Sequence, residues 1–178
     1  MQVDQAELRI RHQAALDSAR RELIASTELG EGGRQALARF SDSIDAILRD
    51  LVAAAGAQTT TPIAVCALGG YGRRALSLQS DLDLLLLAGG RIGRPEERFV
   101  KALLHPLWDL TFTVGHHVRE LDDFDRLETD NPEFLLALMD ARQLAGDGSL
   151  FDRFEGILQA SSGHWHPQIL DALVTLTD

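Results

Sequence analysis

Residues 81–87 read Asp-Leu-Asp-Leu-Leu-Leu-Leu. A run this apolar belongs inside a protein, and two carboxylates one residue apart at its mouth are costly to place there. The run predicts a strand over 82–87, ended by Ala88-Gly89-Gly90. A second apolar run, 63–68, predicts another short buried strand and closes on Gly69-Gly70. Side chains two apart in a strand share a face, so Asp81 and Asp83 project together and Leu82 points the other way. Adjacent carboxylates repel unless a cation is present. Mg²⁺ favours one or two carboxylates, several waters and substrate phosphates. Paired glycines after a strand let the backbone approach a phosphate, and amides of the following turn donate to it. The order strand, Gly-Gly, spacer, Ser-Asp-x-Asp, strand therefore predicts a phosphate-plus-metal site. An acidic surface turn is the bland alternative.

The rest of the chain predicts mixed secondary structure. Leu8, Ala15, Ala19 and Leu23 form an apolar stripe that predicts a helix over 5–28. Gly30-Glu31-Gly32-Gly33 breaks it, and a second amphipathic helix follows over 34–55, carrying Leu37, Phe40, Ile44, Ile47, Leu48 and Leu51. The two predict an antiparallel helical hairpin. Beyond the leucine run, Pro95 opens a helix that Pro106 is expected to kink or shorten. Thr111 to Val114 alternates like a strand, which Gly115 to Val118 extends. The last third predicts helices over 120–128, 132–143, 149–160 and 166–176. The apolar pattern runs unterminated into the final "DALVTLTD", so the chain is expected to be a cut piece of something longer. The expected fold is α+β, with a small mixed sheet flanked by the N-terminal hairpin and by C-terminal helices. The expected divisions are 1–57, 58–125 and 126–178, the last as the start of a helical domain.

Composition narrows the function classes. The 178 residues carry a formal net charge of −10, which argues against broad binding to nucleic acid or an anionic membrane. It does not exclude an anionic small ligand, and Arg73 and Arg74 locally offset Asp81 and Asp83. The one cysteine, Cys66, allows no internal disulfide, so a cytoplasmic setting is expected. The polar N-terminus has no signal-peptide core, and the longest apolar run is far too short to span a bilayer.

The pattern resembles the polymerase-beta type of nucleotidyltransferase, whose signature is hydrophobic–Gly–Gly/Ser, a spacer, then Asp-hydrophobic-Asp. It is more closely similar to the N-terminal region of the bacterial PII uridylyltransferase/uridylyl-removing family. The stretches "GGYGRRALSLQSDLDLLLL", "PLWDLTFTVGHHVREL" and "DARQLAGDGSLFDRF" all look like that family's, in the right order over about 62–155. The chain departs from it at Arg74-Ala75, where the family often has glycine and glutamate. The resemblance implies transfer of a uridylyl group from UTP to a tyrosine of the PII nitrogen-regulatory protein, with Mg²⁺ and release of pyrophosphate. The alternatives are a related fold with another substrate, such as adenylyl transfer, and a non-catalytic regulatory module. The family's HD-type hydrolase and glutamine-sensing ACT domains do not fit in this length.

By this reading Asp81 and Asp83 are the catalytic, metal-binding pair, and Gly69 and Gly70 line the phosphate turn. Ser80 either donates to a phosphate oxygen or caps the turn before the strand. Arg73 either holds a phosphate or stands solvated. The superfamily's third carboxylate falls to Asp109, Glu120 or Asp122, because one face of the 111–119 strand reads Thr111, Thr113, Gly115, His117, Arg119. His116 and His117, on opposite faces of a strand, do not easily share an ion. His164 and His166 are read as surface residues; Cys66, Tyr71, Trp108 and Trp165 are read as packing residues. A chain cut here is expected to bind nucleotide weakly and to transfer little.

Overall fold

A computed structural model describes residues 5–56, 59–124 and 131–160. Helices α1 (Gln5–Glu28) and α2 (Arg34–Ala55) form the expected hairpin. Next come strand β1 (Ile63–Ala67), a single helical turn α3 (Gly69–Gly72), strand β2 (Leu82–Ala88), helix α4 (Arg94–Asp109) and strand β3 (Val114–Glu120). A 3-10 turn at Leu121–Phe124, helix α5 (Pro132–Met139), strand β4 (Arg142–Gly146) and a helix α6 over 148–160 complete the described chain. The strands form one sheet in the order β3-β2-β1-β4. β1 pairs antiparallel with β2 and β4, while β2 and β3 are parallel, so the sheet is mixed and the fold is α+β.

β1 and β2 are the inner strands, and helices cover both faces of the sheet. Val65, Ala67, Leu82, Leu84 and Leu86 pack toward α1, α2 and α4, in a core with Leu16, Ile44, Leu48, Leu103 and Leu107. Ala64, Cys66, Leu68, Leu85 and Leu87 pack toward α5 and α6, against Phe134, Leu138, Leu150 and Phe154. A strand covered on both faces reads as a continuous hydrophobic run, which is why the leucines are consecutive.

Several expectations change. The buried stripe of α1 is Leu8, His12, Leu16, Ala19, Leu23 and Ser26, and Ala15 is exposed. Steps of three and four keep the stripe on one side of the helix, whereas the step of seven skipped His12 and Leu16. α4 runs three residues past Pro106. The acceptor that loses its donor there belongs to Ala102, which is exposed and open to water. Residues 111–113 are not strand. The amides of Thr111 and Phe112 donate to the carbonyls of Trp108 and Leu107, closing the helix end, and Thr111 takes a left-handed φ of 64°. Residues 142–146 form β4, because β1 offers them an unpaired edge; the helix expected over 132–143 takes in only 142 and 143 of these, and 144–146 have no expected element. Trp108 is 47% exposed, beside His105, rather than packed in the core. The reading of 120–128 is met only by the short turn at Leu121–Phe124; residues 125–130, the 166–176 helix, His164, Trp165 and His166 lie outside the described residues. Among the described residues no helix is long and apolar enough to cross a membrane.

Glu96, in the first turn of α4, is a buried carboxylate that ties the loop before β1 to that helix. Its Oε1 accepts the Thr60 amide at 2.7 Å, the Thr60 hydroxyl at 2.9 Å and the Thr61 amide at 3.3 Å, and its Oε2 accepts the Gly93 amide at 2.9 Å. Burial opposes its charge, but these hydrogen bonds outweigh it and hold the carboxyl down to about 2. A depressed carboxyl stabilises fully above its ordinary value of 4.5 and loses that contribution as pH falls toward 2. Glu96→Gln should therefore lower the melting temperature. The gap to the parent should be flat above about pH 5 and should narrow steadily below it in thermal melts over a pH series.

Candidate active site

β2 enters the sheet between β1 and β3, and its first residues carry the two aspartates. Leu82 faces the α4 side, so the alternation of the strand turns Asp83 to the α5 side, in line with Leu85 and Leu87. Asp81 stands immediately before the strand and is exposed. Burial first, and then the charge of Asp81, push the Asp83 carboxyl above its ordinary value, while His117 pulls it back. The two carboxylates are thus close enough for the charge of one to oppose ionisation of the other.

The glycines sit around Asp83. Gly69 opens α3 with a left-handed φ of 51°, and a Cβ built on it lies 3.9 Å from Asp83 Oδ2. A Cβ on Gly70 would meet open space. The backbone fixes this approach, since the Leu68 amide donates to the Asp83 carbonyl at 2.9 Å. The first amides of a helical turn have no acceptor within it, so the Gly69 and Gly70 amides open α3 beside the carboxylate. On the opposite side, β3 places Gly115 in register with Asp83. A Cβ there would lie 2.5 Å from Asp83 Oδ1, so only glycine leaves the carboxylate its place. An isolated glycine inside a strand pattern is the sequence signal for such a close approach.

The other candidate residues have their own partners. Arg73 is paired with Asp140 at the end of α5. Ser80 Oγ accepts the Ser77 amide at 3.1 Å and lies 2.8 Å from Ser77 Oγ, closing the turn before β2. Arg74 holds a left-handed φ of 58° and is paired with Asp42 of α2. Tyr71 is 1% exposed, and its phenol is pushed up first by burial and then by the charge of Asp45. Cys66 is buried in β1, and burial, with Glu155 adding to it, pushes its thiol up to about 12. His117 is half-buried against Phe134, with ring centres 4.1 Å apart, whereas His116 is exposed. Burial, Arg119 and His116 push the His117 imidazole down, so it is neutral at pH 7.

None of the three third-carboxylate candidates stands beside the pair. Glu120 lies opposite Ala88, five residues along the strand from Asp83 and Gly115, or about 16 Å. It accepts the Ile92 amide there at 2.8 Å. Asp122 lies beyond it in the 3-10 turn. Asp109 borders a cavity against α1, with Leu8, Arg9 and His12, on the other side of the sheet. The β3-side residue that pairs with the strand mouth is Thr113, whose carbonyl accepts the Leu82 amide at 2.9 Å. Among the described residues no group of three or more His, Cys, Asp or Glu side chains forms a metal-holding cluster.

No family model matches the chain. Curated proteins do match it, among them three that bear the name bifunctional uridylyltransferase/uridylyl-removing enzyme. The Pasteurella multocida protein is 35% identical over 115 residues, 65% of this chain and 13% of that protein. The Bordetella parapertussis protein is 38% identical over 117 residues, 66% of this chain and 13% of the relative. The Streptomyces coelicolor protein is 39% identical over 125 residues, 70% and 14% respectively. The chain is homologous to part of the bifunctional uridylyltransferase/uridylyl-removing enzymes. It spans only a small share of their length. Their name places its kin among transferases of the nucleotidyltransferase kind.

A raised carboxyl favours the fold while protonated and opposes it as pH rises through the folded value. Asp83→Asn should therefore melt at a higher temperature than the parent at pH 7 without divalent cations. The difference should close as pH falls below about 4, where both forms carry a neutral group. Melting curves across that range, in chelator, test it.

Proposed function

We propose that this chain is the nucleotidyl-transfer region of such an enzyme. It moves a uridylyl group from UTP to a tyrosine hydroxyl of a PII-type signalling protein in the cytoplasm. The hydroxyl oxygen forms a bond to the α-phosphorus, the bond from that phosphorus to the bridging oxygen breaks, pyrophosphate leaves, and the hydroxyl proton passes to solvent. The observation that carries this reading is the Asp81–Asp83 pair at the mouth of β2, with the Gly69–Gly70 turn against Asp83 Oδ2.

The residues fit a divalent cation. The charge of Asp81 opposes that of Asp83 at a cost that a cation removes, and two carboxylates with waters and phosphates suit Mg²⁺. Asp81 and Asp83 would hold it, and when bound it supplies neutralisation of the triphosphate's charge. Gly69 and Gly70 bring backbone amides to the phosphates. Gly115 keeps Asp83 free to face them. Arg73 and Ser80 stand at the rim and reach a phosphate by exchanging Asp140 and Ser77 for it.

One observation favours a second reading, a nucleotide-binding regulatory module. Thr113, rather than a carboxylate, stands by the strand mouth on β3, so the pair has no third acidic partner among the described residues. Calorimetric titration with UTP and ATP in the presence of Mg²⁺ tests binding and base choice. Asp81→Asn with Asp83→Asn should abolish Mg²⁺-dependent binding and keep the fold, and unchanged affinity in that double variant would sink the proposal. A transfer assay with labelled UTP and PII protein separates the two readings. The chain alone should transfer little and a longer version much more, since positioning of the acceptor contributes about 7–11 kcal/mol of a barrier. Binding without transfer in both versions would favour the regulatory module.

A further inference from the structure

The segment "DARQLAGDG" looks like the uridylyltransferase family's, yet beyond Asp140, the partner of Arg73, the proposed chemistry does not use it. It begins where α5 ends and passes into the edge strand β4. Arg142, the first residue of β4, points its guanidinium back beneath α3. Its Nε donates to the Gly72 carbonyl at 3.1 Å and its Nη2 to the Tyr71 carbonyl at 3.3 Å. Its guanidinium carbon lies 5.6 Å from the centre of the Tyr71 ring. These are the last carbonyls of the turn whose first residues, Gly69 and Gly70, approach Asp83. The Tyr71 carbonyl also accepts the Arg74 amide at 3.0 Å, and a cation beside the carbonyls of a helix end is favoured.

Arg142 is itself held. Asp45 of α2, 2% exposed, accepts Arg142 Nη1 at 2.6 Å and Nη2 at 3.1 Å, a two-point pairing that fixes the plane of the guanidinium. Arg49 adds a bond to Asp45 Oδ2 at 3.3 Å and another to the Leu144 carbonyl at 3.1 Å, so α2 grips β4 at two places. The end of α5 crowds α3 from the side. A Cβ on Gly72 would stand 1.9 Å from the Asp140 carbonyl oxygen, so only glycine permits the contact.

We propose that Arg142 and Asp45 are positioning residues for the phosphate turn. Through Arg142 the buried carboxylate of α2 sets where Gly69–Gly72 lies relative to Asp83, and so how its amides meet a nucleotide phosphate. The link to nucleotide rests on the function proposed above, while the link to the turn does not.

Hydrogen exchange and calorimetry on the same variants separate the two. Arg142→Lys keeps a charge beside Asp45 but loses the planar fork. In that variant the amides of Gly72, Arg73, Arg74 and Ala75, which close the turn, should exchange about tenfold faster, with Leu84 to Leu87 of β2 unchanged. Affinity for Mg²⁺·UTP should fall about tenfold. Glu96→Gln, far from the turn, serves as the stability control and should change neither reading. If Arg142→Lys does not fold, Asp45→Asn, which keeps the side chain's shape, takes its place. Unaltered exchange in the turn overturns the proposal whether or not the chain binds nucleotide. Faster exchange with undiminished affinity overturns the role in nucleotide binding. Faster exchange in a chain whose parent binds no Mg²⁺·UTP leaves the positioning of the turn in place and removes the proposed function instead.

Discussion

From Leu84 to Ala88 strand β2 meets water on neither face. That condition organises the molecule. A strand covered twice needs a layer on each side, and the chain supplies them from its two ends: the hairpin with α4 on one face, α5 and α6 on the other. At the strand's entrance the covering layers stop, and Asp81 and Asp83 emerge. Asp83 sits on an inner strand, held by β1 and β3 on either side, and Asp81 immediately before it, while the glycine turn and Gly115 are shaped around Asp83. A site on an element of this kind keeps its geometry better than one carried by a loop.

The parallel pairing of β2 and β3 adds a condition on register. Asp83 faces Gly115, and the neighbouring positions are Val114 and His116. A slip by one residue would bring a side chain against the carboxylate and turn every β3 residue to the wrong face. The glycine is therefore a steric requirement of the carboxylate opposite it, and the two positions constrain each other.

Much of this was legible in the sequence, and the failures have physical causes. The central strands declare themselves because burial on both faces writes an unbroken apolar run, and the aspartates stand out against it. β4 does not, since Arg142, Gln143 and Gly146 have little strand preference of their own and the edge of β1 decides their conformation. Thr111 to Thr113 alternates as a strand would, but the end of α4 captures its amides. Asp45 could have been found. It lies on the apolar face of α2 between Ile44 and Leu48, where an unpaired carboxylate would be intolerable and a cationic partner is required. What sequence could not say is that the partner lies 97 residues away.

Cys66 occupies the middle of β1, in register with Leu85, and is the chain's only sulfur nucleophile. Thiols react as thiolates, and burial withholds both the proton's departure and the reagent's approach. Alkylation must then wait for the layer of α5 and α6 to lift from that face of the sheet. The sulfhydryl is in effect a built-in clock for the lifting of α5 and α6 from the sheet, silent to fraying of the hairpin on the opposite face, and its labelling rate reads how often the Asp83 side of the central strands is uncovered, without any engineered probe.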